Sequence, residues 1–200
     1  MDCDCTPLAR ADLPIDTISL ARYLLGKKLV RQTAEGVVTG RIVETEAYVV
    51  GDAAGHAFYG MTPRNRSLFL ERGHAYVYLA YGRSYMLNVS SEVPGIGAGV
   101  LIRAIEPCNG ISIMQRNRHG ELMRNLARGP GRLTSALGID LRLDGIDLCQ
   151  PGPLWLSRSD NEPEEIGEST RIGISRAVTR LLRFYVRGSP FVSGPRALNR

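Results

Sequence analysis

The alternation of apolar and polar positions changes period several times along this chain, and each change marks an element. Asp16 stands as an N-cap ahead of a helix over residues 17–25, which Gly26 ends. Residues 28–32 and 37–48 are strand-like, the second rich in β-branched side chains throughout. Thr62 and Pro63 form an N-cap followed by proline at the first helical position, predicting a short helix over 64–70. Residues 75–80 and 85–89 are β-rich runs separated by Tyr81-Gly82-Arg83-Ser84, which can turn, so they predict a hairpin. After the glycine-rich stretch 94–99, residues 100–105 predict another strand. Helical patterns follow at 111–116, 121–127 and 133–137. The last third predicts strands near 154–157, 171–174 and 182–186, with residues 158–170 as an exposed acidic loop. No internal repeat or low-complexity linker interrupts this order.

Short turns between consecutive strands favour antiparallel pairing. The expected fold is mixed α/β of the α+β kind. It is one domain over residues 1–200, a curved and mainly antiparallel sheet with surrounding helices and a protruding β-hairpin. Residues 1–14 are expected to be loosely ordered. Composition supports a packed domain: hydrophobic residues make up 44% and charged residues 22%, which excludes disorder as a description of the whole. A 200-residue chain buries enough core to need no disulfide staples.

Charge changes the picture more. The formal net charge is +5. The only lysines are Lys27 and Lys28, and every other strong base is arginine, which grips phosphates and stacks on bases. Acid is bunched at Asp160, Glu162, Glu164, Glu165 and Glu168, so the remaining surface is more basic than the average. An arginine-rich proteome would produce the same composition, so charge alone does not settle a partner. Cys3, Cys5, Cys108 and Cys149 form no CxxC pair, and their spacing fits neither a zinc site nor a disulfide framework. Reduced thiols, no long apolar run and no basic-then-apolar start point to a cytoplasmic protein that does not enter a membrane.

Candidate chemistry concentrates in residues 37–48. Side chains alternate along a strand, so Glu44, Glu46 and Tyr48 share a face with Val38 and Ile42. A carboxylate on an apolar face is costly unless it is paired or has a task. For Glu44 a structural ion pair with an arginine is the favoured reading, and Glu46 is the candidate for chemistry. Tyrosines cluster at 48, 59, 76, 78, 81 and 85, and Tyr76 and Tyr78 share one strand face. Strand propensity accounts for Tyr76 and Tyr85. It does not account for Tyr81 at the turn, where an aromatic can stack on bases or wedge into a base step. His56 lies in a Gly- and Ala-rich loop, and His74 and His119 read as surface residues. The zinc deaminase signature is absent. Val93-Pro94-Gly95-Ile96-Gly97 looks like the hairpin of helix-hairpin-helix glycosylases, but a strand-like run follows it and no lysine occurs after Lys28.

Several blocks resemble the alkyladenine (3-methyladenine) DNA glycosylases. They are Gly40–Tyr48, Thr62-Pro63-Arg64-Asn65, Tyr76-Val77-Tyr78 with Tyr81-Gly82, Asn88-Val89-Ser90, residues 101–107, and residues 183–190, in the family's order. The resemblance implies a monofunctional DNA glycosylase that flips alkylated or deaminated purines out of duplex DNA. It would hydrolyse the N-glycosidic bond with a Glu-activated water and leave an abasic site. Glu46 would position and deprotonate the water, with Arg103 and the main-chain carbonyl of Ile172 as further contacts. Tyr48, His56 and Tyr78 would sandwich the base, Asn88 would exclude guanine, and Leu101 would line the floor. Tyr81 would intercalate, while Arg64 and Arg83 would contact the DNA backbone. No metal and no cofactor is expected. The partner is double-stranded DNA containing a damaged purine, and the protein is expected to be monomeric, cytoplasmic and nucleoid-associated. This chain departs from the family in Arg83, where an apolar residue is common, and in the length of the loop after Tyr48. Two other readings use some of the same residues. One is a non-catalytic damaged-DNA binding module, which has no reason to place Glu46 beside phosphates. The other is a hydrolase of small glycosides or nucleosides, which has no need of Tyr81 or a basic surface.

Overall fold

The computed structural model describes residues 5–159, 163 and 165–195. Its longest strands, β2 (Gly36–Tyr48) and β5 (Gly99–Asn109), pair antiparallel along most of their length. They form where β-branched and apolar residues are dense, and both are buried over most of their length. On one side β5 pairs with β4 (Ser84–Ser90), which closes a hairpin with β3 (Ala75–Ala80). The other edge of β2 is shared. Its first half pairs with β1 (Lys28–Thr33), which carries β6 (Leu154–Ser157) outside it. Its second half, at Glu44–Glu46, pairs with β8 (Arg183–Val186), which carries β7 (Ile166–Ser169). All of these pairs are antiparallel, in one eight-stranded sheet. The fold is the α+β mixture expected.

Helices α1 (Thr17–Tyr23), α2 (Ile111–Asn117) and α3 (Pro130–Leu137) pack on this sheet. Asp16 caps α1 by accepting from the Ser19 N–H at 2.9 Å. Leu20, Leu24, Leu25, Ile105, Leu133, Leu137 and Phe184 belong to one continuous core.

Several local expectations fail, each because a tertiary partner wins. The N-terminal segment is docked from Cys5 onward. Leu8 and Leu13 are buried, Leu8 N–H donates to the Leu156 carbonyl at 2.9 Å, and the Trp155 indole N–H donates to the Cys5 carbonyl at 2.6 Å. Only one 3-10 turn, Met123–Asn125, stands in place of the helix over 121–127. Leu126 and Ala127 are drawn into the core there, and Arg128 bridges to Ala104 of β5. The acidic loop contains β7, because Gly167 lets the Tyr185 ring lie against the backbone, 2.4 Å from where a Cβ would sit. Asp160, Glu162 and Glu164 lie outside the described residues. Glu165 and Glu168 pair with Arg187 and Arg22. Finally, residues 171–174 form no strand, since the Ile172 N–H is committed to a side chain of the site.

Candidate active site

The hairpin closes through Tyr81 (φ +50°) and Gly82 (φ +65°), and the Arg83 N–H donates to the Ala80 carbonyl at 3.0 Å. Glycine accepts left-handed backbone freely, while a tyrosine there costs roughly 1–2 kcal/mol. The result is a ring that is 90% exposed at the tip of a two-stranded arm.

One rung of the sheet runs Tyr76, Asn88, Leu101, Glu46, Arg183 across β3, β4, β5, β2 and β8. Directly paired residues project to the same face, so five distant segments bring these side chains into one row. Above part of this row lies a cavity of about 630 Å³ lined by Tyr48, His56, Tyr76, Tyr78, Tyr81, Asn88, Leu101, Arg103 and the 172–176 segment. All of the residues proposed to sandwich, screen or wedge a base therefore line one cavity.

Glu46 is fully buried and does not itself line the cavity, but it is in contact with Tyr48, Arg103 and Ile172, which do. Its Oε1 accepts from the Ile172 N–H at 2.8 Å and lies 3.1 Å from an Arg103 Nη. Its Oε2 accepts from the Tyr48 hydroxyl at 3.0 Å. Ile172 thus meets the carboxylate through its N–H, a contact that sequence reasoning did not anticipate. Burial raises the Glu46 pKa, and this outweighs Arg103, the Ile172 N–H and the Tyr48 hydroxyl, which lower it. The same burial, followed by the neighbouring Glu46 charge, pushes the Tyr48 phenol up, so it stays a donor.

Glu44 is equally buried and far better compensated. It accepts from Arg103 Nε at 2.7 Å, Arg183 Nε at 2.8 Å, the Ser193 N–H at 2.6 Å and the Ser193 hydroxyl at 2.9 Å. Burial pushes its pKa up, but the two guanidiniums and the hydrogen bonds more than reverse this and hold it below the ordinary value. The β2–β5 ladder is irregular between Ile42 and Thr45, so this pair of carboxylates and Arg103 meet at a break in the regular pairing.

The aromatic walls are braced from behind. Arg171 lies 4.6 Å from the centroid of the Tyr48 ring and forks onto the buried Asp52 at 2.5 and 3.1 Å. Arg171 does not line the cavity, so it covers the ring face turned away from it. Opposite, the His56 ring stacks at a tilt on Tyr78 with centroids 4.3 Å apart, and its Nδ1 is 2.9 Å from the Tyr76 hydroxyl. Enclosure against the tyrosines, and then Arg64, lower the His56 pKa. Asn65 holds the loop that carries His56. Its amide donates to the carbonyls of His56 and Gly60 at 2.8 and 3.0 Å, and its oxygen accepts from the Thr62 N–H at 2.6 Å.

Thr62-Pro63 therefore does not open a helix. Only the 3-10 turn Arg66–Phe69 forms, with Asn65 turned back onto the loop as a clasp. Asp52, Arg171, Asn65 and the orienting role of Tyr76 were missed. Of these only Tyr76 carried a signal, the face it shares with Tyr78.

Asn88, on the cavity wall, is largely buried, with its amide donating to the Tyr76 carbonyl at 3.2 Å. The remaining candidates, Arg64 and Arg83, lie outside the cavity. Arg64 is exposed and braces the hairpin, donating to the Leu79 carbonyl at 3.2 Å. Arg83 lies in a second groove that shares Met86 and Pro130 with the cavity and is lined by Arg118, Arg128, Arg132 and Arg142. His74 is half-buried rather than a surface residue, its Nδ1 2.7 Å from the Glu71 carbonyl. Among the described residues no helix is long and apolar enough to cross a membrane.

Comparison with known proteins identifies the family. Residues 11–190 match the family described as Methylpurine-DNA glycosylase (MPG). A protein of Mesorhizobium japonicum with the provisional name 3-methyladenine DNA glycosylase is 72% identical over 195 residues, covering 98% of this chain and 94% of that protein. Similarly named proteins of Paraburkholderia phytofirmans and Methanoculleus marisnigri are 53% and 46% identical, over 96% and 89% of this chain and 90% and 94% of theirs. The chain belongs to the methylpurine-DNA glycosylase family: it is a DNA repair enzyme that acts on DNA and hydrolyses N-glycosyl bonds.

Proposed function

We propose that the protein is one glycosylase domain that, as a monomer, extrudes an alkylated or deaminated purine from duplex DNA and hydrolyses its bond to the sugar. The observation that carries this reading is the buried Glu46 carboxylate held by the Ile172 N–H, Arg103 and the Tyr48 hydroxyl, three residues that line an aromatic cavity. A base inside a duplex is out of reach of any side chain, so the nucleotide must rotate out at a few kcal/mol, least for a badly paired lesion. Tyr81 on its arm would fill the gap. The extruded base would stack between Tyr48 on one side and His56 with Tyr78 on the other, worth roughly 1–3 kcal/mol. The Asn88 side chain, tied to the Tyr76 carbonyl, would clash with the exocyclic amine of guanine and so protect normal bases.

The chemical step needs a water at the sugar C1′. Glu46 would take its proton as the bond to the base breaks, and burial makes this carboxylate a stronger base than an exposed one. The negative charge also opposes the positive charge that develops on the sugar. No lysine adjoins the cavity, so water rather than an amine attacks, and the product is an abasic site in an uncut strand. The Arg83 groove continues from the cavity along one side of the hairpin and would carry the phosphate backbone, with Arg64 contributing on the other.

Incubation with duplex containing a single hypoxanthine tests the whole reading. Wild type is expected to yield an alkali-labile abasic site, and Glu46→Gln is expected to bind the duplex without excising. Binding without excision by wild type would instead identify a non-catalytic binder.

A further inference from the structure

Arg103 approaches both carboxylates but forms the two-pronged pair with neither. Its Nε donates to Glu44 at 2.7 Å, one Nη lies 3.1 Å from Glu46 Oε1, and the other reaches the Ser193 hydroxyl at 3.4 Å. A guanidinium beside a carboxylate ordinarily engages it through two parallel bonds. What prevents this at Glu46 is Glu44. That carboxylate is itself pinned by Arg183 and by both Ser193 donors. Arg183 is anchored in turn on the Ser193 carbonyl at 2.9 Å and the Ser169 hydroxyl at 2.7 Å. Ser193 thus closes over Glu44, while Glu46 is held by the cavity-lining residues Tyr48, Arg103 and Ile172.

We propose that Glu44 is a positioning residue for Glu46: by holding Arg103 through Nε it restricts that arginine to one contact, at Glu46 Oε1, and keeps it off Oε2, where the Tyr48 hydroxyl donates. This rests on Glu46 as the general base. The groups that face Glu46 are Glu44 and Tyr48 from β2, Arg103 from β5, Tyr78 from β3, Arg183 from the paired position of β8, and the Ile172 N–H. Among them Glu44 is the one full negative charge, and it offsets the pull of Arg103. Loss of that charge leaves the guanidinium free to close on Glu46 through both oxygens, lowering its pKa and competing with the Tyr48 hydroxyl at Oε2.

The test is Glu44→Gln, which keeps an acceptor for the arginines. Two measurements are made across pH on wild type and variant. One is the titration of the Glu46 carboxyl carbon by NMR, assigned with Glu46→Gln. The other is single-turnover excision of hypoxanthine from duplex. In E44Q the Glu46 midpoint and the acid limb of the rate profile are expected to move to lower pH. The plateau rate should fall by up to about 10²-fold, the scale of a misplaced reacting group. An unmoved midpoint and limb, with only a lower melting temperature, would make Glu44 purely structural and overturn the proposal. Should E44Q fail to fold, Ser193→Ala carries the test. It removes one hydroxyl bond to Glu44 and one from Arg103 while keeping the backbone bond, and should shift both readouts the same way but less; no shift overturns the proposal. A wild type that excises nothing would refute the general-base reading, while the NMR midpoint would still decide whether Glu44 controls Arg103.

Discussion

Two residues apart on β2, Glu44 and Glu46 give the same side chain opposite surroundings. At Glu44 two guanidiniums, a backbone N–H and a hydroxyl converge under the C-terminal segment, and the carboxylate is held ionised. At Glu46 burial is as complete, yet one guanidinium nitrogen, one backbone N–H and one phenol are all that compensate it, and its pKa rises. The donors that would make Glu46 comfortable are spent on Glu44. Glu44 therefore contributes stability, while Glu46 costs it and gains basicity. Charge placement within one strand separates scaffold from reagent.

The sign of the pH dependence differs accordingly. For Glu44 the folded pKa lies below the unfolded one, so its stabilisation is present above the ordinary carboxylate range and is lost as pH falls through the folded value. For Glu46 the folded pKa lies above the unfolded one, so its ionisation destabilises progressively as pH rises through that interval.

These contrasts can be broken by substitution. The largest effect is expected from Glu46→Gln, which should lower single-turnover excision by about 10²–10⁴-fold with lesion binding retained. A near-wild-type rate would remove Glu46 as the base. Next, Glu44→Ala should strand Arg103 and Arg183 and cost about 3–5 kcal/mol, read as a large fall in denaturant midpoint at constant slope. Glu46→Gln should show no such loss. Relative to wild type it should gain stability above the ordinary carboxylate range and lose that gain below it. Tyr81→Ser should reduce the preference for lesion over undamaged duplex by about 1–3 kcal/mol with the melting temperature unchanged, because the ring is exposed. The smallest change is electrostatic: Arg83→Gln should weaken binding equally for damaged and plain duplex and reduce the salt slope by about one. A slope that does not move would take Arg83 off the backbone path.

Much of this was legible from residues alone because it is local. Alternation along residues 37–48 places Glu44, Glu46 and Tyr48 together, and the Tyr81-Gly82 turn between two β-rich runs defines the hairpin. Both follow from strand period and backbone preference, which need no distant partner. The tertiary structure alone decided where polar groups found their partners. Asn65 became a clasp for the His56 loop, Asp52 met Arg171 across the chain, and the Ile172 N–H left strand pairing for a carboxylate. The N-terminal segment acquired order only by burying Leu8 and Leu13 against the rest of the protein. Buried polar groups must pair wherever the fold brings a complement. That complement can lie more than a hundred residues away, where no periodicity or spacing reports it.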